Sequence, residues 1–325
     1  MGECSPTISV VICAYTLERL NDIHDAVNSV LGQTLPPHQV IVSVDHNPEL
    51  LERLKAEMPG GVAVAFNDGA PGLSETRNVA IRHATGDIVA FMDDDAVAAK
   101  DWLQKLIKSF DDPAVVAVGG KIIPLWLDGC RPVWFPEELD WIVGCTYKGL
   151  PCHGNQVRNL IGCNMAFQAR VFQSIGLFRS EVGRTGKTQG AGEDSEFCLR
   201  LTGNLPGALI LYEPEAVIYH KVPSWRVGLK YLVQRTHNEG YCKSMVRELC
   251  SGSSPKPLST ESSYLGYLLL TAIPQRVKHL YRPQALLQAG AILVCIAATG
   301  AGYLMGRLQH RRLAPRHVGV VVGGP

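Results

Sequence analysis

The sequence predicts an α/β fold with a doubly wound, mostly parallel sheet and a C-terminal helical segment that associates with a membrane. Short, nearly continuous apolar runs rich in β-branched residues predict strands that are covered on both faces. Segments of helical period lie between these runs, as in parallel sheets whose strands are joined by helices. An uncharged run of 24 residues near the C-terminus predicts the membrane segment.

The elements follow one another in the order that a doubly wound sheet requires. The runs at residues 8–13, 39–44, 62–66, 88–92 and 115–118 are predicted strands, and residues 20–31, 74–84 and 101–110 are predicted helices. Ligands of such sheets bind beyond the carboxyl ends of the strands, so the polar residues that follow each run are the candidate site residues.

Composition divides the chain into an acidic body and a basic tail. The formal net charge is only +1, but the last 64 residues contain seven Lys and Arg and no Asp or Glu. We expect residues 1–250 to form the main domain, 251–263 a linker, 264–312 a membrane-associated apolar and basic segment, and 313–325 a flexible tail. The ten scattered cysteines are interpreted as reduced thiols of a cytosolic protein.

The uncharged run, residues 283–306, is long enough to cross a bilayer as a helix. Arg282 precedes the run and Arg307 follows it, and such long cations can reach lipid headgroups. The alternative is a buried helix of a soluble domain. We favour a helix embedded in the membrane. We expect the basic tail to contact lipid headgroups and not nucleic acid.

Two nucleotide-binding motifs are excluded. The first predicted strand is followed by Ala14, Tyr15 and Thr16, where a dinucleotide-binding fold would need a glycine-rich turn. Residues 183–188 (GRTGKT) resemble a phosphate-binding loop, but Glu181 occupies the position of its first glycine.

Three acidic residues, Asp93, Asp94 and Asp95, directly follow the buried run at 88–92. Adjacent carboxylates repel one another unless a positive charge lies among them, and Mn²⁺ or Mg²⁺ commonly joins such carboxylates to a substrate diphosphate. The alternative is an exposed acidic turn before the next helix.

Two further positions have both a catalytic and a structural interpretation. Asp194 precedes a helix-like segment, where it is either an N-cap or a general base. His220 follows a strand-like run and is either a metal ligand or a core histidine. The Trp-rich stretch 126–141, which includes Trp134 and Trp141, is either an acceptor platform or ordinary packing.

In combination these segments resemble the family 2 inverting glycosyltransferases, which have the GT-A fold. The resemblance covers roughly residues 5–245, in four segments: SVVICAYT (9–16), GLSETRNVAIRHATGDIVAFMDDD (72–95), GCNMAF (162–167) and GEDSEFCLR (192–200). The segment FPEELDWIVGCTYKG (135–149) and the last of the four are similar to glycosyltransferases of the dolichyl-phosphate-linked, glucuronic-acid-adding type.

The resemblance implies a role for each matching residue. Asp45 would contact the base and Arg77 the diphosphate, with Thr16, Asp93 and Asp94 also on the donor side. Asp93, Asp95 and His220 would hold Mn²⁺ or Mg²⁺, and Asp194 would be the catalytic base. We also expect Glu193, Lys187, Trp134 and Trp141 near the acceptor or on a closing loop.

The function that the resemblance implies is metal-dependent, inverting transfer of a sugar from a nucleotide sugar, most simply a UDP-sugar, to a hydroxyl of a lipid-linked or cell-envelope glycan. The catalytic domain is expected on the cytoplasmic face of the cell membrane. One alternative is transfer to a polyprenyl phosphate, which makes a lipid-phosphate sugar donor. A non-enzymatic alternative is a membrane-anchored scaffold that binds nucleotide sugars.

Overall fold

The computed structural model describes residues 6–182, 192–250, 256–279 and 281–313, with side chains up to residue 309. The strands are β1 (Ile8–Ala14), β2 (Gln39–Asp45), β3 (Val62–Asn67), β4 (Ile88–Asp93), β5 (Ala96–Ala98), β6 (Val115–Trp126), β7 (Asn164–Gln168) and β8 (Leu209–Val222). They form one sheet of order β3-β2-β1-β4-β7-β6-β8-β5. The predicted α/β fold class is confirmed.

Ten α-helices occur in the described part of the chain. They are α1 (Leu20–Leu31), α2 (Pro48–Glu57), α3 (Leu73–His83), α4 (Trp102–Lys108), α5 (Ala169–Ile175), α6 (Glu193–Asn204), α7 (Leu229–Leu249), α8 (Ser259–Tyr267), α9 (Ile273–Val277) and α10 (Pro283–Leu313). Short 3₁₀ helices cover Leu17–Arg19, Glu137–Val143 and Ser224–Val227. A π-helical turn, Leu268–Ala272, joins α8 to α9.

Strands β3, β2, β1 and β4 are parallel, so their carboxyl ends meet at one edge of the sheet. Side chains alternate between two cores, as the strand period of two requires. In β4, Ile88, Ala90 and Met92 pack on one side of the sheet. Val89 and Phe91 pack on the other side. Helices cover both faces, which explains why these strands are continuous apolar runs.

The second half of the sheet is mixed. Strand β7 is antiparallel to both β4 and β6, whereas β6 and β8 are parallel to each other. Strand β6 extends to Trp126, well beyond the predicted end at residue 118. The prediction stopped at Gly119-Gly120, but β8 continues as a pairing partner through a register shift after Gly120. Pairing with a distant strand therefore overrides the local glycine signal.

The predicted linker is too long at its C-terminal end, because α8 begins at Ser259. Arg158 holds this helix against the body through Glu261, with Nη1 2.6 Å from Oε2 and Nη2 2.8 Å from Oε1. Residues 251–255 and the tail from 314 lie outside the described residues. Residue 313 of the predicted tail belongs to α10.

Helix α10 contains the uncharged run. Within its segment Pro283–Gln309, a stretch of 18 residues has a mean hydropathy of 1.8, so the segment is long and apolar enough to cross a membrane, by length and composition only.

Gly120 allows the second half of the sheet to close. A Cβ there would lie 2.1 Å from Ala216 O and 2.3 Å from Asn164 Nδ2. We expect Gly120→Ala to lower the free energy of unfolding by roughly 1–3 kcal/mol, because backbone atoms must move. Thermal unfolding checks this, with Gly203→Ala in α6 as the control. Gly203 faces open space, and alanine there is expected to stabilise the helix by about 1 kcal/mol. Equal midpoints for the two variants would contradict the expectation.

Candidate active site

The carboxyl ends of β1–β4 bring the predicted donor-binding residues to one edge. Asp45, the last residue of β2, accepts hydrogen bonds from Asn67 Nδ2 at 2.9 Å and from Gly72 N at 3.0 Å. These bonds fix its carboxylate beside the turn that precedes α3. Asp45 thus lies where a base could be recognised, although its oxygens already have protein partners.

The acidic cluster, Asp93, Asp94 and Asp95, is neutralised by side chains from distant parts of the chain. Arg19 Nη1 lies 2.5 Å from Asp94 Oδ1, and Arg19 Nη2 lies 3.1 Å from Asp95 Oδ2. Thr16 caps the 3₁₀ helix that carries Arg19, because its Oγ1 accepts from Glu18 N at 3.3 Å. The interpretation of an exposed acidic turn is wrong for Asp94 and Asp95, which are buried.

Asp95 lies behind His220 and not in an open ligand position. Its Oδ1 is 3.1 Å from His220 Nε2, and its Oδ2 is 3.0 Å from Arg226 Nη2. Direct ligation by Asp95, as the resemblance implied, would require these oxygens to exchange their partners for the metal. As placed, Asp95 orients the imidazole, which is how carboxylates commonly support metal-binding histidines.

A metal could be held by Asp93, Cys163 and His220, whose donor atoms all lie within 4.8 Å of one another. The Nδ1 atom of His220 is buried and has no hydrogen-bond partner among the described residues. A buried polar atom without a partner is costly, and a cation would satisfy it. Carboxylate and imidazole donors fit Mn²⁺ or Mg²⁺, and the thiol is a softer third donor.

The buried acids differ in protonation. Burial raises the pKa of Asp94 to about 7, although Arg19 opposes the shift. Burial would also raise the pKa of Asp95, but His220, Arg19 and Arg226 hold it well below its ordinary value. Asp94 is only 3% exposed, so the expected contact of Asp94 with the donor does not fit its position. Asp93, which is partly exposed, is the acid of this cluster that can face a substrate.

Arg77 does not lie in the open position expected of a diphosphate ligand. Its side chain is 2% exposed, and Nη1 lies 3.2 Å from Glu193 Oε1. The guanidinium also lies over the rings of Phe91 and Phe178. Burial alone would lower the pKa of Arg77, but Glu193 raises it above its ordinary value. Arg77 therefore fixes Glu193 and the start of α6.

Glu193 and Asp194 have different surroundings although they are adjacent. Glu193 is buried, and its Oε2 accepts from Gly192 N at 3.0 Å. We expected Glu193 near the acceptor, but this burial turns its carboxylate away from the acceptor side. Asp194 accepts from Ser195 N at 2.7 Å and from Gly162 N at 3.2 Å. Each carboxylate oxygen of Asp194 retains a lone pair that could accept a proton from a hydroxyl.

The environment of Asp194 shifts its acidity towards neutrality. Burial raises its pKa, and the charge of Glu193 raises it further. Lys243 and Arg77 partly oppose the shift, and the resulting pKa is about 6. A carboxylate with such a pKa is ionised at neutral pH and is a stronger base than an exposed aspartate.

A cavity of about 450 Å³ extends from Asp194 towards α10. Trp141 lines it, as predicted for an acceptor platform, whereas Trp134 is not among the lining residues and packs edge-on against Phe135. The predicted loop residue Lys187 lies outside the described residues.

Sequence reasoning missed several residues of this site. Arg19 and Arg226 neutralise the acidic cluster, and Cys163 belongs to the possible metal site. Of these three residues, only Cys163 could have been identified from the sequence, because it directly precedes a strand-like run. Asn164 pairs with Met92 in the antiparallel ladder, which places Cys163 opposite Asp93.

Together, the mixed sheet, the acids at the end of β4 and the acidic pair at the start of α6 define a glycosyltransferase of the GT-A fold. The chain belongs to glycosyl transferase family 2, whose family model matches residues 9–176. The predicted family and the predicted enzyme class are confirmed.

Two relatives illustrate the similarity. The chain is 34% identical to the glucosyl-dolichyl phosphate glucuronosyltransferase of Haloferax volcanii, over 93% of this chain and 96% of the relative. It is 26% identical to the succinoglycan biosynthesis protein ExoM of Rhizobium meliloti, over 72% of each chain.

Solved structures show the same fold. The mannosyltransferase PcManGT of Pyrobaculum calidifontis, in complex with GDP-Man and Mn²⁺, superposes with a TM-score of 0.57 at 21% identity. The match covers 96% of this chain and 82% of that one. GalNAc-T7 with UDP, GalNAc and Mn²⁺ gives a TM-score of 0.50 at 17% identity, over 81% of this chain and 54% of that one.

The pKa of Asp194 predicts the pH dependence of turnover. Below about pH 6 the carboxyl is protonated and cannot accept a proton, so kcat/KM should fall about tenfold per pH unit. Lys243→Met should move this limb to higher pH, because the lysine lowers the pKa. Lys230→Met, at an exposed position of the same helix, is the control. A pH–rate profile that is flat between about pH 4 and 7 would contradict the role of Asp194.

Proposed function

We propose that the protein is a metal-dependent, inverting glycosyltransferase that moves a sugar from a nucleotide sugar to a hydroxyl of a lipid-linked sugar. A UDP-sugar is the proposed donor. The observation that carries the proposal is the cavity that joins Asp194 to the apolar helix α10. The enzyme would act at the cytoplasmic side of the membrane, where nucleotide sugars and a lipid-anchored acceptor can meet.

The lining of the cavity is both ionic and apolar. Lys243 Nζ lies 3.1 Å from Ser195 Oγ and 3.0 Å from Glu261 Oε1. Arg235 Nη1 lies 2.7 Å from Glu239 Oε2. The apolar side chains of the same lining include Leu265, Leu268, Cys295 and Ile296. A ligand with a polar head and an apolar chain matches this combination.

The cavity also reaches the surface between α8 and α10. Leu265 and Gly300 both line it and are both exposed. An acceptor held in a bilayer could therefore enter sideways with its head towards Asp194. The Haloferax volcanii relative, whose name includes a dolichyl phosphate, supports this class of acceptor.

The chain segment at residues 161–164 connects the two halves of the proposed reaction. Gly162 N donates to Asp194, and the next residue, Cys163, belongs to the possible metal site. A donor whose diphosphate lies at Asp93 would thus present its anomeric carbon close to Asp194. Asp194 would accept the proton of the acceptor hydroxyl while that oxygen attacks the face opposite the leaving diphosphate, which inverts the anomeric centre.

When bound, a divalent cation would offset the charge that develops on the departing nucleoside diphosphate. Asp93 and His220 would hold it, with Cys163 as the third donor, and Asp95 would keep the imidazole in position. Arg19 and Arg226 would keep Asp95 ionised by lying within hydrogen-bonding distance of it.

Replacement of the base tests the mechanism. Asp194→Asn should lower transfer by about 10²–10⁴-fold with little change in thermal unfolding, because the amide cannot accept the proton. Release of nucleoside diphosphate from a panel of nucleotide sugars, with lipid-linked acceptors, measures the rate. Asp111→Asn, at an exposed position, is the matched control. Undiminished transfer by Asp194→Asn would exclude it as the base.

The product distinguishes the proposed reaction from its closest alternative. A glycosidic bond to an existing lipid-linked sugar supports the proposal. A phosphodiester-linked sugar would instead show direct transfer to a polyprenyl phosphate.

Metal dependence is a separate prediction. Chelation should abolish transfer, and Mn²⁺ or Mg²⁺ should restore it. His220→Ala should raise the metal concentration for half-maximal activity by roughly 10–100-fold. The variant lacks the imidazole donor and, with it, the contact through which Asp95 orients that donor. His83→Ala, at the exposed end of α3, should leave this concentration unchanged. Full activity in excess chelator would refute the prediction.

A further inference from the structure

Between Pro283 and Gln309, helix α10 has two faces of different character. The inner face packs on the body through small or apolar residues, among them Ala289, Ile292, Cys295, Gly302 and Gly306. The outer face, here called the leucine stripe, consists of Leu286, Leu293, Leu304 and Leu308, each more than half exposed. The spacing of these leucines places them on one side of the helix.

Polar contacts tie the inner face to the body near both ends. Gln288 Nε2 donates to Val133 O at 2.8 Å. Tyr241 OH donates to Gln309 Oε1 at 2.9 Å, and Arg307 pairs with Glu248. Gln288 and Gln309 are about 32 Å apart at the rise of an α-helix, which is about the thickness of the hydrocarbon layer. The body of the protein therefore lies against α10 over the full distance that a spanning helix would cross.

Helix α7 approaches α10 too closely to be separated from it without loss of packing. A Cβ on Gly240 would lie 1.9 Å from Thr299 O, and one on Gly302 would lie 1.9 Å from His237 O. Helix α7 carries six charged side chains: Lys230, Arg235, Glu239, Lys243, Arg247 and Glu248. If α10 crossed a bilayer in this arrangement, α7 would enter the hydrocarbon with it, and the exposed charges of Lys230, Arg247 and Glu248 would lose their hydration.

We propose that α10 does not span the membrane but lies flat in the headgroup region of an anionic bilayer, with the leucine stripe towards the lipid. Leu269, Leu270 and Val277 of the preceding turns are exposed as well. This orientation differs from the crossing that length alone suggested, and it does not depend on which acceptor the enzyme uses.

Charge favours lipid over a second copy of the chain as the occupant of this surface. Lys278 and Arg282 precede the leucine stripe, and no acidic residue follows Glu261. Tyr281 is largely exposed beside Arg282, as is typical of side chains at membrane interfaces. Two copies joined through this face would bring their cations together, whereas anionic headgroups would neutralise them.

The orientation is tested with full-length protein carrying an epitope at each terminus and bound to sealed vesicles of phosphatidylglycerol and phosphatidylcholine. A helix in the membrane plane leaves both termini on one side, so added protease should remove both epitopes without detergent. Protection of the C-terminal epitope until detergent is added, with loss of the N-terminal one, would show a spanning helix and overturn the proposal.

The leucine stripe is tested by vesicle co-sedimentation. Leu293→Gln and Leu304→Gln should each weaken binding about tenfold, since each removes one leucine from the lipid. Leu31→Gln, at an exposed position of α1, should not change binding. Thermal unfolding midpoints equal to that of the unchanged protein show that the variants are folded. Absence of vesicle binding by the unchanged protein would overturn the proposal. The proposal would also be overturned if the variants bound vesicles normally and lost only the ability to self-associate.

Discussion

Neutralisation of the acids at the end of β4 is the constraint on which the site depends. Asp94 and Asp95 are buried beside each other, and unpaired charges there would cost several kcal/mol. The compensating cation of Arg19 follows β1, whereas His220 and Arg226 belong to the end of β8 and the 3₁₀ helix after it. The two halves of the sheet must therefore close on each other before the cluster is balanced. The same closure leaves Asp93 and one nitrogen of His220 available for a cation.

A second charged network connects catalysis to the C-terminal helices. Glu193 is held by Arg77, while Asp194 turns towards Lys243 of α7, and Lys243 pairs with Glu261 of α8. Through these contacts, the helices that line the cavity also adjust the basicity of the proposed base. The C-terminal segment thus contributes to the proposed active site, and the membrane surface that it would present would position the site relative to a lipid-anchored acceptor.

The first half of the fold was predictable from the sequence because its signals are local. The buried runs of β1–β4 and the amphipathic α1 appear where the apolar pattern indicates them. The second half was less predictable. Strand β6 passes through two glycines because β8 pairs with it, and β5 is only three residues long. The ion pair that joins α8 to the body connects Arg158 and Glu261, which are about a hundred residues apart in sequence.

The sequence by itself determined the family, the carboxylates at the strand ends, the acidic pair at the start of α6 and the presence of a long apolar helix. Tertiary structure alone decided which of these groups are free. It buried Arg77 against Glu193 and Asp94 against Arg19, brought Cys163 to Asp93, and tied one face of α10 to the body. The physical reason is that residue type and local period are written along the chain, whereas charge pairing and burial depend on distances between residues far apart in it.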